Sequence, residues 1–141
     1  MKIGSSVPPP KAEGVKNKRP QLAIDQVFKT LRSGLKIYVE RSGDGSKVVK
    51  GSQVKVHYDG WLAEDYSKFD SSRDKRRPFE FELGAGKVFK GWEEGLEGLR
   101  AGSKIQLIIP AKLAYGKAGV PSMGIPEDAE LIFKVEVLKV T

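Results

Sequence analysis

Hydrophobic and polar residues alternate along five stretches of the chain, and this period of two is typical of strands with one buried face. The stretches are 35–39, 54–58, 79–83, 105–109 and 131–137. Between the third and the fourth, Trp92, Leu96 and Leu99 recur at i, i+4 and i+7, which predicts a short helix with the indole in its first turn. We therefore predict an α+β fold in which a mainly antiparallel sheet covers this helix. Its concave face, closed against Trp92, would hold an apolar cavity for a small ligand.

The first 34 residues follow a different pattern. Residues 1–20 are rich in Pro, Gly and Ser and hold five basic residues against one acidic residue, so we expect a flexible basic tail. Residues 21–34 carry apolar side chains at helical spacing, which predicts an amphipathic helix ended by Ser33-Gly34. The apolar residues are Ile24, Val27, Phe28 and Leu31. We expect this apolar face to dock on the chain's own domain, residues 35–141, and binding of a partner protein is the alternative.

Composition narrows the class of protein. The chain has 141 residues, enough for one domain with an appendage and a core of its own. The absence of cysteine excludes disulfides, thiolate metal sites and a cysteine nucleophile, and it fits the reducing cytoplasm, where we expect the protein. No apolar run is long enough to cross a bilayer, so we expect no membrane contact. The net charge is +7, and the basic run 16–20 leaves nucleic-acid binding and nuclear import as alternatives to a solvated tail.

The side chains that most catalytic mechanisms need are missing. His57 is the only histidine, and it points away from the side of the strand that carries Val56 and Tyr58, so we expect it to face solvent rather than act as a base. The carboxylates are dispersed, and the helix dipole is a sufficient explanation for the pair Glu93-Glu94 in the first turn of the helix. We therefore predict neither a metal site nor a cofactor.

Rotation about the peptide bond before a proline is a reaction that suits such a chain. It breaks no covalent bond, and its barrier of about 18–20 kcal/mol is the amide resonance lost at the twisted midpoint. An apolar pocket disfavours the planar, more polar imide relative to the twisted transition state. Shortening an event of roughly 100 s to milliseconds takes a factor of about 10⁵, or about 7 kcal/mol. We expect desolvation, shape and one or two hydrogen bonds to share this energy.

Six short motifs resemble, in order and spacing, the FKBP family of peptidyl-prolyl cis-trans isomerases. They lie at residues 56–60 (VHYDG), 68–74 (KFDSSRD), 78–81 (PFEF), 88–92 (VFKGW), 114–116 (AYG) and 125–133 (IPEDAELIF). The resemblance covers residues 35–141. It implies a half-barrel, that is, a curved antiparallel sheet wrapped around one short central helix. It also implies a rotamase activity that accelerates X-Pro rotation in folding proteins.

The resemblance further implies roles for individual residues. The pocket would be formed by Tyr58, Phe79, Val88, Phe89, Trp92, Ile125 and Phe133, with Trp92 as its floor. Phe69 and Asp70 would lie at the rim, where Asp70 interacts with the twisting carbonyl or holds Tyr58 in place. The Tyr115 hydroxyl and the backbone N–H of Phe89 would each donate a hydrogen bond to a carbonyl of the ligand. Asp70 and Tyr115 are thus the predicted catalytic residues.

Substrates, inhibitors and partners also follow from the resemblance. It implies proline-containing peptides and proteins as substrates, the macrolides tacrolimus and rapamycin as inhibitors, and a monomer. Phe89 departs from the family pattern because Ile is usual at its position, and its larger ring is expected to narrow the pocket. Lys75 replaces an Arg of the family prototype, so an ion pair with Asp70 is expected to be looser or to come from Arg76. The alternative function is that of a non-enzymatic adaptor of the same fold, which binds a partner protein through the pocket or the helix at 21–34.

Overall fold

The structure is a computed structural model and describes residues 28–141. In chain order the strands are β1 (Lys29–Thr30), β2 (Lys36–Arg41), β3 (Gln53–Leu62), β4 (Lys68–Ser71), β5 (Phe79–Glu82), β6 (Lys104–Ile109) and β7 (Leu131–Val140). The helix α1 (Lys90–Leu96) lies between β5 and β6, and short 3₁₀ turns occur at Ala111–Leu113 and Pro121–Met123. The predicted tail at 1–20 and the first half of the predicted helix at 21–34 lie outside the described residues. Nothing in residues 28–141 forms a helix with the length and hydropathy needed to cross a membrane.

All described strands join one curved antiparallel sheet. Its order is β1-β2-β6-β7-β3-β4, and β5 pairs with the first half of β3, on the edge that β4 occupies further along. The long central pair β3–β7 runs in register from Val54–Val140 to Leu62–Leu131, with one shift after Lys55. The predicted half-barrel around one short helix is confirmed. The five predicted strands are present, whereas β1 and β4 were not predicted.

The concave face of the sheet is built by the alternation of β3. Val54, Val56, Tyr58, Gly60 and Leu62 are buried, whereas the residues between them are half-buried on the outer face. Because successive side chains of a strand point to opposite faces, one run of alternating residues supplies both the core and a solvated surface. Tyr58 is thereby directed towards the helix, where the candidate site lies.

Two glycines allow α1 to lie close against the sheet. A Cβ added at Gly91 would come within 2.6 Å of Ile109 Cγ2, and one added at Gly95 within 2.9 Å of Leu107 Cδ2. The two glycines are four residues apart and therefore lie on one face of the helix. The helix is shorter than the predicted stripe: it ends at Leu96, and Gly98 at φ +89° turns the chain before Leu99. The close approach presses the neighbouring Trp92 into the core.

The predicted helix at 21–34 is wrong for the residues that the structure describes. Lys29–Thr30 forms strand β1, which pairs with Lys36–Ile37 of β2. Gly34, at φ +97°, closes the turn between the two strands, and its N–H donates to the carbonyl of Leu31. A left-handed glycine serves a tight turn as well as a helix end, so Ser33-Gly34 does not distinguish the two. Phe28 is buried with its ring centre 6.0 Å from that of Tyr38.

Candidate active site

Trp92 lies at the centre of a cluster of aromatic rings. Its indole is edge-on to the rings of Tyr58 and Phe133, with ring centres 5.2 and 5.4 Å away. The rings of Phe81 and Phe79 lie at 5.8 and 6.2 Å. Edge-to-face contacts of this kind are favourable beyond the area that they bury. The strands β3, β5 and β7 thus each direct a ring at the first turn of α1.

The structure brings the predicted pocket residues together. Seven of them are almost fully buried in one apolar cluster: Tyr58, Phe69, Val88, Phe89, Trp92, Ile125 and Phe133. Phe79 and Tyr115 are half-buried and pack against its edge. Ile125 is held in place by two backbone hydrogen bonds with Val120, at 2.9 and 3.1 Å. Phe69 lies inside the cluster rather than at the rim, with its ring edge-on to Phe133 at 5.6 Å.

The site is closed in this structure. The Trp92 side chain has no exposed surface, so no water-sized space touches the indole. Phe89 is 2% exposed, and its ring is edge-on to that of Tyr115 with ring centres 4.5 Å apart. On its other side the Phe89 ring lies 5.9 Å from Phe133. The predicted cavity above the indole is therefore filled by side chains, and the large ring of Phe89 accounts for part of the filling.

A buried hydrogen-bonded group supports one wall of the cluster. The Tyr58 hydroxyl donates to Asp70 Oδ2 at 2.7 Å, the Ser71 N–H donates to Asp70 Oδ1 at 2.9 Å, and the Lys75 ammonium lies 3.0 Å from Oδ1. Burial, followed by the hydrogen bond and negative charge of Asp70, raises the pKa of Tyr58 far above its ordinary value. Tyr58 therefore stays protonated and donating. Of the two partners considered for Asp70, Lys75 makes the ion pair and Arg76 does not.

Two donors at the centre of the cluster make no hydrogen bond within residues 28–141. One is the buried Nε1–H of Trp92, and the other is the backbone N–H of Phe89. Phe89 precedes α1, and its carbonyl accepts from the N–H groups of Trp92 and Glu93 at 3.1 and 3.0 Å. A buried donor without an acceptor costs about 1–3 kcal/mol, so such groups are rare away from functional sites. The Phe89 N–H is available to a carbonyl oxygen of a bound peptide, whereas Nε1–H of Trp92 is enclosed by the cluster.

His57 lies behind the cluster rather than in it. Its Nδ1 is 2.8 Å from Ser72 Oγ, which also accepts a hydrogen bond from the Tyr58 N–H at 2.7 Å. The prediction that His57 faces solvent is correct only in part, because the ring is on the outer face but half-buried and hydrogen-bonded. Its role is to hold the segment after β4 against β3.

Sequence reasoning missed three residues of the site. Phe81 packs on the indole, and Met123 is buried in the same cluster. Gly60 makes room for two rings, because a Cβ there would lie 2.8 Å from Phe133 Cε1 and 2.9 Å from Phe69 Cζ. Phe79 and Phe81 are two residues apart on β5 and therefore lie on the same face, so the assignment of Phe79 to the pocket could have been extended to Phe81. Gly60 gave a weaker one, as a glycine inside a strand often marks a close approach.

Comparisons with known proteins agree with this geometry. A family model described as FKBP-type peptidyl-prolyl cis-trans isomerase matches residues 44–138. A protein of Neisseria meningitidis serogroup B named FK506-binding protein is 49% identical over 107 residues, which cover 76% of this chain and 96% of that protein. Peptidyl-prolyl cis-trans isomerase FPR2 of Saccharomyces cerevisiae is 49% identical over 94 residues, 67% of this chain and 69% of its own length.

Solved structures give the same result. FkpA from Escherichia coli matches with a TM-score of 0.75 and 42% identity, and the match covers 83% of this chain and 53% of FkpA. AtFKBP13 matches with a TM-score of 0.74 and 35% identity, over 81% of this chain and 98% of the other. The fold and the sequence of the described domain therefore point to the same group of proteins.

Proposed function

The chain belongs to the FKBP-type peptidyl-prolyl cis-trans isomerase family and is a peptidyl-prolyl isomerase, and we propose that the aromatic cluster around Trp92 is where it binds the prolyl ring. The observation that carries this proposal is the convergence of the rings of β3, β5 and β7 on the first turn of α1. A pyrrolidine ring is apolar and compact, and it is small enough to lie on an indole. The monomeric state and the cytoplasmic location stay predictions.

The chemistry that this cluster offers is exclusion of water. The planar imide before a proline has a polar carbonyl that water stabilises, and the twisted transition state has lost much of that polarity. Surrounding the bond with the rings of Tyr58, Phe133 and Trp92 withdraws that water and so raises the ground state relative to the transition state. Because the side chains of the cluster are already buried and fixed in position, the reaction itself requires little rearrangement of solvent.

Hydrogen bonds orient the peptide. The Phe89 N–H faces no acceptor of the described chain, and we assign it to a carbonyl of the bound peptide. The Tyr115 hydroxyl, at the edge of the same cluster, is the second donor. Asp70 is a positioning residue in this scheme, because both of its oxygens are already used by Tyr58, Ser71 and Lys75. It fixes the Tyr58 ring instead of touching the twisting carbonyl.

Substrate entry requires the cluster to open. The rings of Phe89 and Tyr115 close it, with ring centres 4.5 Å apart, and Tyr115 is half-buried at the edge. Swinging the Tyr115 ring outward separates the pair without moving the helix or the sheet. The prolyl ring then enters the space that the Tyr115 ring leaves. Binding and opening are therefore coupled.

Tacrolimus and rapamycin are proposed as inhibitors of the same site. Support comes from the relative of Neisseria meningitidis, whose name says that it binds FK506, which is tacrolimus. That protein is 49% identical to this chain over 107 residues, and the family model spans residues 44–138, which contain the whole cluster. A macrolide that occupies the cluster would exclude the prolyl ring, so the two would compete.

The test is a protease-coupled assay of a tetrapeptide with one proline, with tacrolimus added in steps. We expect acceleration of cis-to-trans conversion that tacrolimus removes. Tyr115→Phe should reduce kcat/KM, whereas the matched control Tyr38→Phe, in a half-buried ring packed on Phe28, should leave it unchanged. A folded protein that does not accelerate conversion would refute the activity. Activity that is insensitive to tacrolimus would refute only the inhibitor assignment.

A further inference from the structure

A cavity adjoins the aromatic cluster beside the loop that follows β4. Its volume is about 410 Å³, and two of its walls, Tyr58 and Phe79, are also walls of the proposed prolyl site. The other lining residues are Ser72, Lys75, Arg77, Pro78 and Glu80. Except for Ser72 these are exposed, so the cavity is open to solvent whereas the aromatic cluster is closed. Residues that flank a bound proline therefore lie beside it.

The loop at 73–77 is strongly basic, with four cations and one carboxylate in five residues. Some of this charge is already neutralised: Arg73 Nη2 lies 2.6 Å from Glu136, and Lys75 is paired with Asp70 at 3.0 Å. The Arg77 side chain makes no ion pair and no hydrogen bond within residues 28–141. It lines the cavity and is the cation there that no carboxylate of residues 28–141 balances.

The backbone holds this loop at a fixed place relative to the site. The Arg77 N–H donates to the carbonyl of Ser72 at 3.0 Å, and the Lys75 N–H donates to that of Ser71 at 3.3 Å. Ser72 is buried, and its Oγ accepts from the Tyr58 N–H at 2.7 Å. The cavity is thus a formed feature of the wall that carries Tyr58.

The distance between the cavity and the prolyl site matches a short stretch of peptide. The Lys75 ammonium lies 5.9 Å from the centre of the Tyr58 ring, which is 5.2 Å from that of Trp92. The Lys75 ammonium on the cavity wall is therefore at most about 11 Å from the centre of the indole, and an extended chain covers roughly 3.3–3.6 Å per residue. Arg77 lines the same cavity. A side chain within three residues of the proline reaches it.

We propose that this cavity, the basic subsite, selects substrates that carry an anionic side chain within three residues of the proline. The anion is a carboxylate of Asp or Glu or the phosphate of a phosphorylated serine, because a guanidinium binds both in the same way. The one carboxylate in the subsite, Glu80, lies 3.6 Å from Lys55 and does not neutralise Arg77. This inference rests on the proposed prolyl site.

The test compares hexapeptides that contain one proline and differ at a single flanking position. Glu is compared with Gln, and phosphoserine with Ser, at each of the three positions before and the two positions after the proline. At low ionic strength we expect at least one position where the anionic peptide has a kcat/KM about 1.5 to 5 times that of the matched neutral peptide. This factor corresponds to the free energy that an ion pair exposed to solvent contributes. The ratio should approach one as salt rises from roughly 0.01 M to 1 M.

Two variants assign the effect to the subsite. Arg77→Gln should remove most of the preference for the anion while the neutral peptides react as before. Arg32→Gln, an exposed arginine in the β1–β2 turn at the opposite edge of the sheet, should keep the preference. Equal rates for anionic and neutral peptides at every position, or a preference that survives Arg77→Gln, would overturn the proposal. A protein that accelerates no neutral peptide would instead overturn the proposed prolyl site.

Discussion

Replacing Phe89 with leucine tests whether the ring pair with Tyr115 closes the site. Phe89 is 2% exposed and packs edge-on to Tyr115 at 4.5 Å and at an angle to Phe133 at 5.9 Å. An aromatic pair contributes about 0.5–1.5 kcal/mol beyond the area that it buries. Phe89→Leu removes two such pairs, so we expect the free energy of unfolding to fall by about 1–3 kcal/mol.

The same substitution should improve binding. Only the pair with Tyr115 is broken when the site opens, so its loss favours the open state by about 0.5–1.5 kcal/mol, a factor of roughly 2 to 13. The backbone N–H of Phe89, which we assign to the peptide carbonyl, is unchanged. We therefore expect the Kd of tacrolimus to fall, and kcat/KM to rise, by a factor in this range.

The measurements are a tacrolimus titration, the isomerase assay and urea unfolding on the same preparations. Phe28→Leu is the matched control, because Phe28 is also a buried ring but packs on Tyr38, away from the site. It should lower stability and leave Kd unchanged. If the folded Phe89→Leu and Phe89→Ile proteins both bind tacrolimus no better than the original chain, the ring pair does not close the site.

Three further predictions concern stability, each measured by urea unfolding. Gly91→Ala should destabilise the domain by about 1–3 kcal/mol although alanine has the better helix propensity, because the added Cβ would lie 2.6 Å from Ile109 Cγ2. An unchanged midpoint of urea unfolding would contradict this packing. Burial and Asp70 raise the pKa of Tyr58 in the folded state, so its contribution to the free energy of unfolding should be fully present below pH 10 and fall above it, where only the unfolded state ionises. Tyr58→Phe should reduce this loss of stability at alkaline pH, and an identical loss in both proteins would contradict the prediction. Burial alone would raise the pKa of Glu136, but hydrogen bonds from Arg73 and Arg41 lower it overall. The contribution of Glu136 to the free energy of unfolding should therefore be present above pH 4.5 and disappear as the pH falls, and Glu136→Gln should reduce this loss of stability in acid.

The strands were predictable where one face of the strand is buried and the other is exposed to solvent. In β3 the buried residues Val54 and Val56 alternate with polar ones, and the period of two identifies the strand directly. In β4 three consecutive residues are buried, Phe69, Asp70 and Ser71, so no alternation marks it. Asp70 is buried because Tyr58 and Lys75 bind it, and a partner 12 positions away along the chain is invisible to a local pattern.

The members of the site were predictable, but its closed state was not. Motif positions gave Phe89 and Tyr115 as neighbours of one pocket, and the structure places their rings 4.5 Å apart. Whether two rings line a space or fill it depends on their rotamers, which are set by packing from all sides. The same limit applies to Arg77: the sequence gives its charge, and only the fold shows that its neighbours pair with other carboxylates.

The closed site also bears on how a pocket with so many rings can release its product. If the indole of Trp92 faced water, a prolyl ring would gain the full hydrophobic benefit of covering it. Because the indole has no exposed surface, the prolyl ring instead replaces contacts that side chains of the cluster already make, and the net gain is the difference between two sets of apolar contacts. Binding substrate strongly in its ground state would not accelerate rotation. A site that fills itself when empty therefore limits ground-state affinity and keeps the dry surroundings that act on the twisted bond.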